Sequence, residues 1–230
     1  MKSILFITTS AAKLDESPTG IWFEELSTPY YALLKAGFSI DICSPKGGKV
    51  PYDPRALDKE NIVPSVTKFL KDEEAMQKLS KSKKISATNF DKYDAIFFPG
   101  GHGAVVDLPY DKVLAEKLGK FFDSGKLISA ICHGPGGLVK AKRRDGKSIV
   151  EGLKLTAFSN AEEEAIGVTD KVPFLLESRL KELGGIYSAA KIFKENVIKD
   201  KNLITAQNPA SSKAVAEAII KYYSSAKNKF

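Results

Sequence analysis

The sequence predicts an α/β fold, a mostly parallel sheet with helices on both faces. Three observations point to it. Short apolar runs, of roughly four to six residues, alternate with longer amphipathic runs along the chain. Two of the short runs, "YDAIFF" (93–98) and "KLISAI" (126–131), read as strands buried on both faces. Strand and helix patterns keep alternating, as βαβ units require.

Each element follows from local chemistry. Residues 3–8, "SILFIT", read as the first strand. "GIWFEELSTPYYALLKA" (20–36) reads as a helix that Pro29 should kink, because proline has no N–H for the helical ladder. Gly37 suits the helix end, and "FSIDICS" (38–44) alternates as a strand. Residues 45–58 are turn-rich, and 64–80 read as a charged helix. The strand at 93–98 ends in "PGGHG". A helix over 110–124, the strand at 126–131 and a helix from Pro135 to about Lys142 follow. "LKLTAF" (153–158) reads as another strand. "PFLLESRLKELGG" (173–185) sets Phe174, Leu175, Leu180 and Leu183 at helical spacing before a double glycine. "NVIKDKNLITA" (196–206) reads as a strand pair turning at Asp200-Lys201, and 211–225 as a closing helix. With no linker or repeat, residues 1–230 are expected to form one domain with insertions near 45–90 and 142–170.

Composition narrows the function. Thirty-five basic and 28 acidic residues give a net charge of +7. The densest basic stretches, "KLSKSKK" (78–84) and "KAKRRDGK" (140–147), carry no interleaved aromatics for base stacking, so no nucleic-acid partner is expected. Two cysteines without a CxxC spacing and two histidines make a four-ligand zinc site hard to build, so no metal is expected. No apolar run approaches the ~20 residues of a membrane span, and the run near the start is too short for a signal sequence. A cytoplasmic protein without a membrane partner is the expectation.

Ligands of such sheets sit beyond the carboxyl ends of the strands. That places "PGGHG", "CHGPG" and "SNAEEE" together. In "AICHGPG", Ala130 and Gly134 flank Cys132 at two residues' distance, the small-residue pattern of a nucleophile elbow. The helix after it should favour thiolate, and His133 is a candidate acid/base. The pattern also admits a buried structural cysteine before a turn, though the nucleophile reading is the stronger of the two. The glycines around Gly101 suit a loop that offers backbone N–H groups to an oxyanion, or a plain tight turn. Glu24 and Glu25 interrupt an apolar run about 100° apart on a helix, so one of them should be partly buried. The glutamates at 162–164 suit a helix start, and one of them is placed to orient His133.

These segments together resemble the ThiJ/PfpI superfamily of flavodoxin-like three-layer sandwiches. Within it they are most similar to the branch of glutathione-independent glyoxalases (glyoxalase III), which overlaps a heat-inducible chaperone subgroup. The resemblance is carried by "TGIWFEEL…P" (19–29), "DAIFFPGGHGAVVDLP" (94–109), "AICHGPGGL" (130–138), "TAFSNAEEEAIG" (156–167) and "LITAQNPASS" (203–212). It implies Cys132 as nucleophile, His133 as the triad histidine and Glu163 as the triad acid, with a neighbouring glutamate as the alternative. It implies Glu25 hydrogen-bonded to the thiol, Gly101 and the His133 backbone as oxyanion donors, and His102 lining the pocket. Ala206 stands where the branch often has glycine. The implied reaction converts methylglyoxal, a small 2-oxoaldehyde, to lactate through a hemithioacetal and an enediol, with no cofactor, in a stress-related homodimer. Chaperone, deglycation or redox-sensing roles on the same scaffold are the alternatives.

Overall fold

The computed structural model describes residues 1–227. β1 (Lys2–Ile7) leads through a small hairpin, β2 (Lys13–Leu14) and β3 (Ser17–Pro18), into α1 (Phe23–Lys35) and β4 (Phe38–Ser44). Then come α2 (Pro64–Lys71), α3 (Glu73–Ser80), β5 (Lys83–Lys84) and β6 (Ala95–Phe98). α4 (Gly103–Asp107), α5 (Lys112–Asp123) and β7 (Leu127–Ile131) follow. The last part holds β8 (Lys154–Leu155), α6 (Asn160–Ala165), α7 (Leu176–Glu182), β9 (Ile186–Tyr187), β10 (Val197–Asp200), β11 (Leu203–Ala206) and α8 (Ser212–Lys227). Seven strands form the main sheet in the order β10-β11-β7-β6-β1-β4-β5. Its pairings are parallel apart from the β10–β11 hairpin.

Alternate side chains of the same strands feed two separate cores. Leu5, Ile7, Ile96, Phe98 and Ile128 face a cluster with Leu114, Leu118 and Phe121 of α5. Ile4, Phe6, Phe97, Leu127 and Ile204 face α1, α2 and α8 through Leu26, Tyr30, Phe69 and Val215. This is why the strands read as apolar throughout: neither face meets water. The central strands end at one edge, where β6 and β7 deliver Pro99–Gly103 and Cys132–Gly134 side by side.

α1 spans Pro29, which is buried within it. Three readings change. The helix expected over 64–80 breaks at Asp72, whose carboxylate accepts the Ala75 N–H at 3.0 Å and starts α3 afresh. Gly134–Leu138 forms only a short 3-10 turn, because "GPGG" offers poor helix formers. The strand expected at 153–158 shrinks to Lys154–Leu155, which pairs with β9 outside the main sheet. Beyond it, the Thr156 N–H bonds to the Thr205 side chain at 2.8 Å rather than to a strand backbone.

Gly119 shows how tightly the second layer is set. It lies buried in α5, and a Cβ there would fall on the Lys142 carbonyl oxygen. In an open helix, glycine to alanine would stabilise by about 1 kcal/mol. Here Gly119→Ala is expected to destabilise the protein by about 2 kcal/mol, because backbone has to shift. Denaturant unfolding checks this; an unchanged or raised midpoint would refute the contact.

Candidate active site

Cys132 follows the last residue of β7 and adopts φ 58, a left-handed conformation that side chains rarely take. Two backbone bonds hold it there. Its N–H donates to the Ala206 carbonyl at 2.9 Å, and its carbonyl accepts the Phe158 N–H at 3.0 Å. The turn is tight enough that a Cβ at Gly134 would strike the Phe98 carbonyl. The small-residue spacing read from the sequence thus has a concrete cause.

His133 is buried directly behind the thiol. Neighbours in a turn usually point apart, yet here Sγ and His133 Nδ1 are 3.3 Å apart. On its other side, His133 Nε2 meets Glu163 Oε1 at 2.5 Å. Glu163 sits in the first turn of α6. Its second oxygen, Oε2, lies 3.2 Å from His102 Nε2. The rings of His102 and His133 stack at a centroid distance of 4.0 Å, and Phe158 covers His133 at 4.7 Å.

The run of three glutamates separates by helix geometry. Glu162 closes a capping box with Ser159 and turns into a buried network with Gln207 and Asn208. Glu163, one position on, faces the histidines, and Glu164 is exposed. The pair at 24–25 separates in the same way. Glu25 is fully buried, whereas Glu24 lies at the pocket mouth.

Glu25 Oε2 accepts the Gly100 N–H at 3.0 Å, and its Oε1 is buried without a hydrogen-bond partner. Gly100 is wedged between this carboxyl and Cys132, where any Cβ would clash with both. Gly101, at φ 95, points its N–H toward the thiol and has no room for a side chain against Gly20 and Trp22.

The electrostatics divide the two acids. Burial pushes Glu25 up to about 8, so it is mainly protonated at neutral pH. Burial also acts to raise Glu163, but His133 and His102 outweigh it and bring the carboxyl down to about 2. His102 is lowered to about 4 by burial and by His133 beside it, so it is neutral. Burial and the Glu25 carboxyl raise the Cys132 thiol well above its ordinary range. Burial and Glu25 thus outweigh any helix-end effect on the thiol, and only a short 3-10 turn follows the cysteine.

Cys132, His133, His102 and Gly101 line a cavity of about 460 Å³. Trp22, Phe158, Ile166 and Phe193 supply apolar wall, and Arg55 stands at the lip. Sequence reasoning missed Arg55. Its guanidinium is held by the buried Asp53, Nη2 to Oδ2 at 2.7 Å, and the "DPR" turn that places both was the available signal. His102, His133 and Glu163 are a possible metal-ligand trio by residue type. In this structure Nε2 of each ring and the two carboxylate oxygens contact one another. Among the described residues, no helix is long and apolar enough to cross a membrane.

A sequence model of the DJ-1/PfpI family matches residues 20–222. The chain belongs to the DJ-1/PfpI family. Within that family it is 31% identical over 216 residues to the glutathione-independent glyoxalase hsp3102 of Schizosaccharomyces pombe, covering 90% of each chain. It is 30% identical over 228 residues to the glutathione-independent glyoxalase HSP31 of Saccharomyces cerevisiae, covering 94% of this chain and 95% of that one. Among solved structures, the Rapid Encystment Protein 24 kDa of Francisella tularensis superposes with a TM-score of 0.91 at 38% identity, over 96% of this chain and 98% of that one.

The two buried acids carry opposite pH signatures. Between pH 4.5 and about 8, unfolded Glu25 is ionised while folded Glu25 stays protonated, so the fold loses stability as pH rises. Glu25→Gln removes that loss. Its stability relative to wild type should climb by on the order of 1 kcal/mol per pH unit across this window and level off above it. Glu163 works the other way: its contribution is present above pH 4.5 and lost as pH falls toward about 2. Urea unfolding at a series of pH values measures both; parallel curves for Glu25→Gln and wild type would contradict the assignment.

Proposed function

We propose that this chain is a glutathione-independent glyoxalase that converts methylglyoxal to lactate, with Cys132 as nucleophile. The observation that carries the reading is the pairing on one thiol: a buried protonated carboxyl on one side and a histidine–carboxylate pair on the other. The glyoxalase names of the relatives support the substrate class.

Glu163 is ionised and can only accept, so His133 carries its hydrogen on Nε2. Nδ1 then presents a lone pair to the thiol. His133 takes the thiol proton as Sγ adds to the aldehyde carbon, giving a hemithioacetal. Gly101 N–H, which interacts with the thiol, is then available as a donor to the developing oxyanion. The hydrogen on C1 then leaves as a proton and one returns at C2, through an enediol. His133 and Glu25 are the two groups beside Sγ able to carry it. The resulting thioester takes up water, releasing lactate and the thiol. The steps written here balance without a cofactor.

Lactate formation from methylglyoxal without glutathione tests the reading. Wild type should produce lactate, and Cys132→Ala should lose kcat by about 10³-fold or more. Glu25→Gln should cost about 10²-fold, as expected for loss of a general acid–base group. Suppression of client aggregation that survives in Cys132→Ala would place any chaperone role outside this site. Full turnover by Cys132→Ala would sink the mechanism.

A further inference from the structure

We infer that His102 is a positioning residue that sets the strength of His133 as a base through the carboxylate the two rings share. The inference rests on the reading of Cys132 and His133 as nucleophile and base. Glu163 gives one oxygen to each ring, Oε1 to His133 and Oε2 to His102. Because the carboxylate can only accept, both rings present N–H at Nε2. His102 stands at the start of α4, but its side chain makes no capping bond there. Its ring is buried and stacked on His133.

Two imidazolium rings at 4.0 Å would repel strongly, so only one of them charges during the reaction. Burial keeps His102 the neutral one. His102 therefore acts as a fixed N–H dipole. A second N–H partner stabilises the charge of the carboxylate and so weakens its attraction for a proton on the first. His102 thus restrains the attraction of Glu163 for a second proton on His133. That keeps the Nδ1 lone pair open to the thiol at lower pH. Other charged or titratable groups face this unit from several elements. Arg55, from the turn after Asp53, acts on His102 and Glu163, while Glu25 of α1 and Glu162 of α6 act on Cys132 at the elbow. All of them are retained in each His102 variant.

The test follows the pH dependence of Cys132 alkylation by iodoacetamide, read by mass spectrometry of the intact protein, with the buried Cys43 as internal reference. His102→Phe keeps an aromatic ring and removes the N–H donor. Its acidic limb should move up by about 0.5–1 pH unit while the plateau does not fall, because a stronger base protonates earlier yet takes the thiol proton more completely. His102→Leu, a second donor-free variant, should show the same shift and serves if the first does not fold. His102→Gln retains an N–H donor and should return the limb to its wild-type position. An unmoved limb in both donor-free variants, with or without a lower plateau, overturns the inference. So does an equal shift in His102→Gln. The readout needs no turnover. Absence of lactate from the wild type would fail the glyoxalase reading, while the alkylation limbs would still judge His102.

Discussion

The structure depends on one backbone constraint, the left-handed conformation of Cys132 between β7 and the turn that follows. A non-glycine residue held there costs roughly 1–2 kcal/mol. The neighbouring strands offset that cost. β11 accepts the cysteine N–H through Ala206, and the segment before α6 returns a bond to its carbonyl through Phe158. Gly134 lets the chain turn flat against the end of β6. The thiol is therefore lifted out of the sheet to the point where α1, the β6 loop and α6 converge. Had β7 simply run on into a helix, Glu25, Gly101 and Glu163 would have no common target.

Around that thiol the protein sets two buried carboxyls in opposite states. Glu25 has one backbone N–H and no cation, so burial decides and the proton stays on. Glu163 is almost equally buried but has an imidazole on each oxygen, so attraction decides and the proton leaves. Two like side chains thus take an acid role and an anion role through their surroundings alone. The opposition works only because Gly100 and Gly101 allow backbone to come where a side chain would otherwise separate the groups.

Much of this was legible in the sequence because it rests on local chemistry. The elbow needs small residues at fixed offsets, so Ala130, Cys132 and Gly134 announce it. Buried parallel strands need apolar runs, so β1, β4, β6 and β7 were read nearly to their ends. What was lost depends on direction around a helix or on distant partners. Nothing in "EEE" alone says which carboxylate turns toward a histidine; the capping box at Ser159 fixes the rotation, and it puts Glu162 into the Gln207–Asn208 network instead. Residues 153–158 carry strand-like residues, but the neighbouring edge of β11 is already taken by β10. Arg55 and Asp53 form a pair whose value comes from a pocket wall assembled by remote segments.

The raised thiol changes how the site must be understood. A cysteine poised as thiolate in the resting protein would be the most oxidisable group in the chain. Cys132 is instead 4% exposed, flanked by a protonated carboxyl and held neutral by its burial. In the proposed reaction, charge develops on sulfur only when His133 removes the proton, and it passes to the substrate oxygen. The energetic cost of a buried anion is thus met during addition, when an electrophilic carbonyl is present to receive it. This geometry favours a nucleophile that works on demand over a permanently ionised sensor, and it makes the arriving carbonyl part of the activation.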